Sequence, residues 1–359
     1  MKKTRIGFVG CGDISGIYLT NLTGMFADTL EIAGVCDLVH EKAAKKAEEY
    51  GLRIYKDMHE LFADPTVDIV LNLTRPYEHY AVTMAAIVAG KHVYSEKPLG
   101  ATLEEGTKLR DAAAAKGLQI GGAPDTFLGA GIQTCRRLID DGYIGRPVAA
   151  TAFMACPGHE SWHPDPAFYY QFGGGPMLDM GPYYITALVN LLGAVKSVSG
   201  MTQAARDTRL ITSQPHNGTV VQVETPTHIA GQMHFANDAI ATIVQSFDVY
   251  AHNLPIIEIY GTEGTLSVPD PNTFGGPIRL YRPEQRAFMD FPLMCKYPDN
   301  SRGLGLHDMA AAIQEGRKPR AGIDLTYHVL EIMTGFYRSA DTRTQIDMQT
   351  QPERPASLN

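Results

Sequence analysis

Cysteine is scarce and unpatterned in this 359-residue chain: Cys11, Cys36, Cys135, Cys156 and Cys295 show no CxxC spacing. That argues against a zinc knuckle and a disulfide framework, and the chain reads as reduced and cytoplasmic. Long apolar runs are missing too. No stretch of about 18 apolar residues occurs, so no transmembrane span is expected. The opening "MKKTRIGFVG" starts basic, but its apolar core is too short for a signal peptide and runs into a glycine turn, so export is not expected. Positive charge is in deficit. With 31 Lys and Arg against 39 Asp and Glu, the net charge of −8 argues against a nucleic-acid or anionic-membrane surface. Small molecules are the expected partners. Internal repeats and low-complexity segments are absent. What is present is an ordinary globular composition, long enough for two hydrophobic cores.

Two regimes of patterning divide the chain. Up to residue 124, the short apolar runs "RIGFV", "EIAGVCD", "VDIVLNL", "KHVYS" and "LQIGG" alternate with helical stretches such as "EKAAKKAEEYG", "HYAVTMAAIVAG" and "LEEGTKLRDAAAAKG". That rhythm predicts a parallel sheet with crossover helices. From about 147 the runs lengthen and alternate: "PVAATAFMAC", "THIAGQMHFA", "AIATIVQSFDVY", "LPIIEIYGTEGTLSV". These predict a largely antiparallel sheet. The α/β expectation is therefore an N-terminal Rossmann parallel sheet over 1–124. A C-terminal α/β domain with a large open, mostly antiparallel sheet follows over 125–345. The segment "DLTYHVLEIMTGFYRSADT" closes it as a helix; a C-terminal tail spans 346–359, and its end "QPERPASLN" is expected to fray.

The first strand runs into "GFVGCGDISG". Gly10 fits the tight turn of a dinucleotide fingerprint, and Gly12 leaves room for a pyrophosphate at the next helix start, with Asp13 and Ile14 in the same loop. Ser15 stands where a third glycine or alanine is usual. About 25 residues after Gly12, Asp37 ends the second apolar run. An acid there accepts hydrogen bonds from an adenosine ribose and repels a 2′-phosphate, which favours NAD over NADP. Further along, Asn72, Thr74 and Pro76 follow the third strand and border the expected cofactor site. Glu96, Lys97 and Pro98 follow the fourth, where open α/β sheets bind ligands.

In "GGGPMLDMGPYYI" (173–185), the glycines allow a tight turn and close approach, and Asp179 and Tyr183 project from one face of the expected helix. Just before it, "GHESWHPDPAFYYQ" clusters the only Trp with two histidines. Trp162 is placed to stack on a sugar ring, with His159 or His163 bonding its hydroxyls. Prolines 157, 164 and 166 argue against a helical His159–His163 metal site, and no metal is expected. "LGLHDMAAAIQEG" reads as an amphipathic helix against the first domain, from which His307 either reaches the site or caps a helix.

Four motifs in this order, "GFVGCGDIS", "NLTRPYEHY", "GKHVYSEKPL" and "GGGPMLDMGPYY", resemble the glucose-fructose oxidoreductase and inositol dehydrogenase family (Gfo/Idh/MocA) across nearly the whole chain. The resemblance implies that Lys97 lies by the nicotinamide and the substrate hydroxyl, and that Asp179 and Tyr183 complete the catalytic set. His79 fits the family's Pro-x-x-His pattern beside the cofactor. Many members carry His where this chain has Tyr183; glucose-fructose oxidoreductase and the dimeric dihydrodiol dehydrogenases carry Tyr. Arg75 stands where an uncharged residue is more usual. The implied activity is NAD(P)-dependent interconversion of a secondary alcohol and a ketone on a sugar, sugar derivative or cyclitol. The alternatives are a glycosidase using NAD for transient oxidation, and a non-catalytic cofactor- or sugar-sensing regulator. The apolar faces of "IAGQMHFA" and "ATIVQSFDV" point to a homodimer or homotetramer.

Overall fold

A computed structural model describes residues 3–358. The first strands and helices alternate as β1 (Thr4–Val9), α1 (Ser15–Thr23), β2 (Leu30–Cys36), α2 (His40–Tyr50) and α3 (Met58–Ala63). Then come β3 (Ile69–Asn72), α4 (His79–Val88), β4 (His92–Ser95), α5 (Leu103–Lys116) and β5 (Ile120–Gly122). Next in the chain are α6 (Ala130–Asp140), β6 (Pro147–Ala155), α7 (Gly175–Asp179), α8 (Gly181–Leu192) and β7 (Val195–Gln203). A small hairpin, β8 (Thr208–Leu210) and β9 (Val220–Gln222), precedes β10 (His228–Phe235), β11 (Ile240–Ser246), β12 (Ile257–Gly261) and β13 (Thr265–Val268). The chain ends with β14 (Ile278–Tyr281), β15 (Phe288–Phe291), α9 (Leu304–Glu315), α10 (Ile323–Thr342) and β16 (Ile346–Asp347).

The chain forms two compact units. One holds the residues up to Asp125 together with Asn300–Tyr327; the other holds Thr126–Asp299 and the residues from His328 on. A single cut at 124 therefore misses a return of the chain, because 300–327 adds α9 to the first unit. That helix packs on the first domain as its amphipathic pattern predicts: a Cβ at Gly121 of β5 would lie 2.9 Å from Met309 Sδ.

In the first unit the five strands are all parallel, in the order β2-β1-β3-β4-β5. All of β3 and most of β1 are buried, which is why they read as continuous apolar runs rather than alternating ones. Helices stop at the expected punctuation. Gly51 and Gly117 adopt left-handed C-caps, and Thr102 with Glu105 forms a capping box at the start of α5. Strand order reverses between β1 and β3, so their carboxyl ends flank the topological switch point.

The second unit is built on a nine-stranded sheet, β15-β14-β13-β12-β6-β11-β10-β7-β16. Only β6 and β11 pair in parallel. Alternation sets its faces. Ile229, Met233, Ala241 and Ile243 are fully buried, whereas Gln232 and Thr242 are exposed. On the covered face Phe336 of α10 presses so close to Gly200 and Gly231 that Cβ atoms there would lie 2.7 and 2.6 Å from its ring. Helix α8 is buried on every side, in keeping with its mostly apolar sequence.

Two expectations change. "LPIIEIYGTEGTLSV" is not one strand but β12 and β13, which turn back on each other after Gly261. The tail does not fray either. Its prolines prevent regular structure, yet Arg354 donates to Asn190 O and Asp140, and Leu358 N donates to Gln133 Oε1.

Candidate functional site

The loop after β1 is shaped by two glycines with different reasons. Gly10 has φ +100°, and a Cβ there would sit 2.7 Å from the Leu73 carbonyl oxygen, so no side chain fits. Gly12 faces the opposite situation: a Cβ would meet no atom within 4 Å, leaving the loop open on that side. Ser15 is buried and donates its hydroxyl to Gly12 O at 2.6 Å, so the third position closes the turn. Asp37 follows β2 and holds this loop directly. Its Oδ2 accepts from Cys11 N and its Oδ1 from Val39 N, each at 2.7 Å. Burial pushes the Cys11 thiol up to about 12, which removes it as a nucleophile.

At the ends of β3 and β4 the side chains mostly hold one another. Asn72 is buried and donates to His79 O and Thr83 Oγ1, while its Oδ1 accepts from the Thr74 amide and hydroxyl. Pro76 opens a single 3-10 turn leading into α4. His79, expected beside the cofactor, is instead buried. Its Nδ1 lies 2.7 Å from Pro98 O and its Nε2 3.0 Å from Thr74 O, tying the turn after β3 to the turn after β4. Glu96 is likewise engaged within the protein, accepting from the buried Tyr18 hydroxyl at 2.8 Å and from Lys97 N at 3.1 Å. These contacts leave Lys97 half-buried on a braced turn, before a cis Lys97–Pro98 peptide. Next to β5, fully buried Asp125 caps α9, accepting from Gly303 N at 2.9 Å and Gly305 N at 3.0 Å. Burial raises its pKa to about 6. His307 packs on Phe26 and lies 2.9 Å from Thr29 Oγ1, a structural position within the first unit.

In the second unit the triple glycine is required residue by residue. Gly173 and Gly175 are left-handed at φ +82° and +84°, and a Cβ at Gly174 would lie 2.4 Å from Phe168 O. The helix that follows is divided. Pro182 has no N–H to give to Leu178, so α7 ends at Asp179 and α8 starts at Gly181, with Tyr183 N donating to Met180 O at 3.0 Å. Asp179 and Tyr183 thus sit on two successive helices rather than one face. Both are nearly buried, the Asp179 side chain being 14% and Tyr183 8% exposed.

The loop before the glycines is anchored by a buried ionic network. Arg209 of β8 donates to Glu160 at 2.9 Å, to Asp248, and to the carbonyls of Pro157 and Phe247. Tyr170 donates to Glu160 at 2.5 Å and accepts from His159 N at 3.2 Å. Burial, reinforced by Glu160, lifts the Tyr170 phenol well above its ordinary pKa. Held this way, the His159 ring packs among Tyr169, Phe247 and Trp162, with Nε2 3.5 Å from Asp179 Oδ2. His163, the expected substrate-facing histidine, uses Nδ1 to accept from Asp165 N within its own loop. Trp162 is largely exposed beside both histidines.

Residues 4–122 match the oxidoreductase family's NAD-binding Rossmann fold, and residues 132–267 match the GFO/IDH/MocA C-terminal domain. The chain belongs to the Gfo/Idh/MocA family. Among Gfo/Idh/MocA relatives, the inositol 2-dehydrogenase/D-chiro-inositol 3-dehydrogenase of Lactiplantibacillus plantarum is 34% identical over 154 residues. That match covers 40% of this chain and 42% of the relative, less than half its length. The D-xylose dehydrogenase of Paenarthrobacter nicotinovorans is 25% identical over 319 residues, 81% of this chain and 80% of that protein. Levoglucosan dehydrogenase, solved with NADH and levoglucosan, shares the fold with a TM-score of 0.82 at 21% identity, over 96% of this chain and 99% of that one. The first unit thus carries a Gfo/Idh/MocA NAD-binding domain. The contribution of Tyr18, Asp125 and Arg209 is invisible in the sequence. Each bonds partners 38 or more residues away, and no local spacing announces it.

Proposed function

We propose that this protein is an NAD-dependent dehydrogenase that interconverts a secondary alcohol and a ketone on a sugar, sugar derivative or cyclitol. The observation that carries the reading is Asp37, a carboxylate bound through both oxygens to the backbone beside an open glycine loop, in a chain that also holds Lys97, Asp179 and Tyr183. The three relatives named above support the class. Each is by name a dehydrogenase of a polyol, a sugar or an anhydrosugar.

The loop fits a dinucleotide. Gly10 allows the tight turn and Gly12 leaves the backbone bare for a pyrophosphate, and each Asp37 oxygen has lone-pair capacity left for a ribose hydroxyl after its backbone bond. NAD supplies the hydride acceptor. On this reading Lys97 holds the carbinol oxygen with its ammonium group and supplies the charge that a phenol base needs. Tyr183 takes the hydroxyl proton in oxidation and returns it in reduction. A phenol, which ordinarily titrates near pH ~10, needs such a cation to serve near neutrality. Asp179 accepts from an adjacent substrate hydroxyl, which selects polyols over simple alcohols. Trp162 offers its exposed ring to the apolar face of the sugar.

The test is a panel of sugars, inositols and anhydrosugars incubated with NAD and followed by NADH formation. One polyol class should give steady turnover. No NADH from any of them would overturn the assignment.

A further inference from the structure

We propose that His159 is a positioning residue for Asp179, fixing the carboxylate that receives the substrate hydroxyl and acting only through it. The inference rests on the proposed function for the role of Asp179, and on geometry within the second unit for the pairing.

Three features point the same way. Both ring nitrogens of His159 are buried, and neither has a hydrogen-bond partner among the described residues. Leaving a buried polar atom unmade is costly, so such an arrangement calls for a nearby group that completes it. The Asp179 carboxylate is that group, with Oδ2 3.5 Å from Nε2, a separation that a small side-chain movement converts into a hydrogen bond. The ring is also fenced. Tyr169, Phe247 and Trp162 have their ring centres 4.1, 4.6 and 5.2 Å away, which restrains the imidazole with both nitrogens buried. Finally, the loop is built to hold the ring there. Arg209 is 4% exposed and bridges Glu160 and Asp248, and Tyr170 links Glu160 to the His159 amide. Ionisable groups near the pair and its anchors include Glu160, Asp248, Arg209, Tyr169, Tyr170 and the partly buried Cys156.

In this arrangement Nε2–H donates to Asp179 Oδ2 and fixes the carboxylate that receives the incoming hydroxyl. Without the donor the hydroxyl is held less well. His159→Phe keeps a ring in the aromatic fence but removes the donor, whereas His159→Gln offers an amide N–H at a similar reach. For the polyol identified by the panel, His159→Phe should raise KM about tenfold or more with kcat changed less than about threefold, as expected when uniform binding is lost. His159→Gln should recover most of that loss. In an Asp179→Ala background His159→Phe should add little, since residues acting as a unit are non-additive. Wild-type KM in His159→Phe would overturn the proposal, as would equal losses in the Phe and Gln variants with unchanged melting.

A second readout does not need turnover. Imidazole nitrogen NMR of the full chain should show the proton of His159 on Nε2, and Asp179→Ala should shift that tautomer balance. A ring protonated on Nδ1, or a spectrum indifferent to Asp179→Ala, overturns the pairing even if the dehydrogenase activity is real. Absence of activity with an intact tautomer response removes the proposed function and keeps the pair.

Discussion

Asp37 is bonded by the loop it organises, so its charge is fixed where a ribose would lie. A 2′-phosphate placed beside that carboxylate meets like charge at short range. Titration should therefore show NAD binding at least tenfold tighter than NADP, about 1.4 kcal/mol, and Asp37→Ala should narrow the ratio. Equal affinities in the wild type would contradict this. The proton chemistry divides between two other residues. Tyr183→Phe removes one oxygen and should lower turnover by about 10² or more, with NAD affinity nearly unchanged. Lys97→Ala should lose at least as much, and the double variant should be little worse than the worse single one. Tyr183→His should keep measurable activity. Wild-type turnover in Tyr183→Phe would assign the phenol to packing. At this scale the sequence is readable where chemistry is local, as at Gly10, Gly12 and Asp37, which lie within one loop and the next strand end. It is silent where burial decides. His79 has the right spacing for a cofactor contact, but nothing in the spacing announces the two carbonyls that enclose its ring. His159 and His163 are indistinguishable in the sequence, because the choice between them is made by Arg209, some fifty residues further along.

Helices and turns carry their own tests. Asp125 caps α9 from a buried position, with a folded pKa near 6 against an ordinary carboxylate value near 4. The folded state therefore holds its proton more tightly than the unfolded chain. Stability from this group is fully present below about pH 4 and is lost as pH rises towards 6, a change of about 3 kcal/mol. Asp125→Asn retains a carbonyl oxygen for the two amides but cannot ionise. Denaturant unfolding of both proteins across pH 4 to 7 should show the wild type losing ground to the variant as pH rises; a constant difference would contradict the assignment. Gly175→Ala tests the turn into α7. At φ +84° and with Pro226 O only 3.0 Å from the added Cβ, the substitution should cost about 1–3 kcal/mol. A thermal scan that matches wild type would show the backbone relaxing there at no cost. Most elements are legible in the sequence because burial on both faces leaves continuous apolar runs, and burial on one face leaves alternation. The periodicity does not mark the division at Met180, although Pro182 supplies its cause. The turn at 262–264 is hidden as well, because alternation resumes on both sides of it.

On the whole molecule, the outward face of the nine-stranded sheet carries a row of apolar side chains. Met201, Ala230, Val244 and Phe153 line up across four strands by register, with Met201 80% exposed, and Ile240 lies on the same face. Light scattering at micromolar concentration should find a dimer or tetramer, and Met201→Glu should weaken it; a stable wild-type monomer would contradict this. The return of residues 300–327 to the first unit has a consequence for synthesis. The NAD-binding sheet is complete on the ribosome by residue 125, but Asp125 then waits for Gly303 and Gly305, roughly 200 residues of further translation. At typical elongation speeds that is about 10–40 s. During that interval the nascent first unit lacks the helix that covers β5, while the entire intervening unit up to Asp299 emerges. The dinucleotide-binding half, although first in the sequence, is thus closed late, and a chain arrested before residue 303 leaves the ribosome with an Asp125 carboxylate that has no helix to cap.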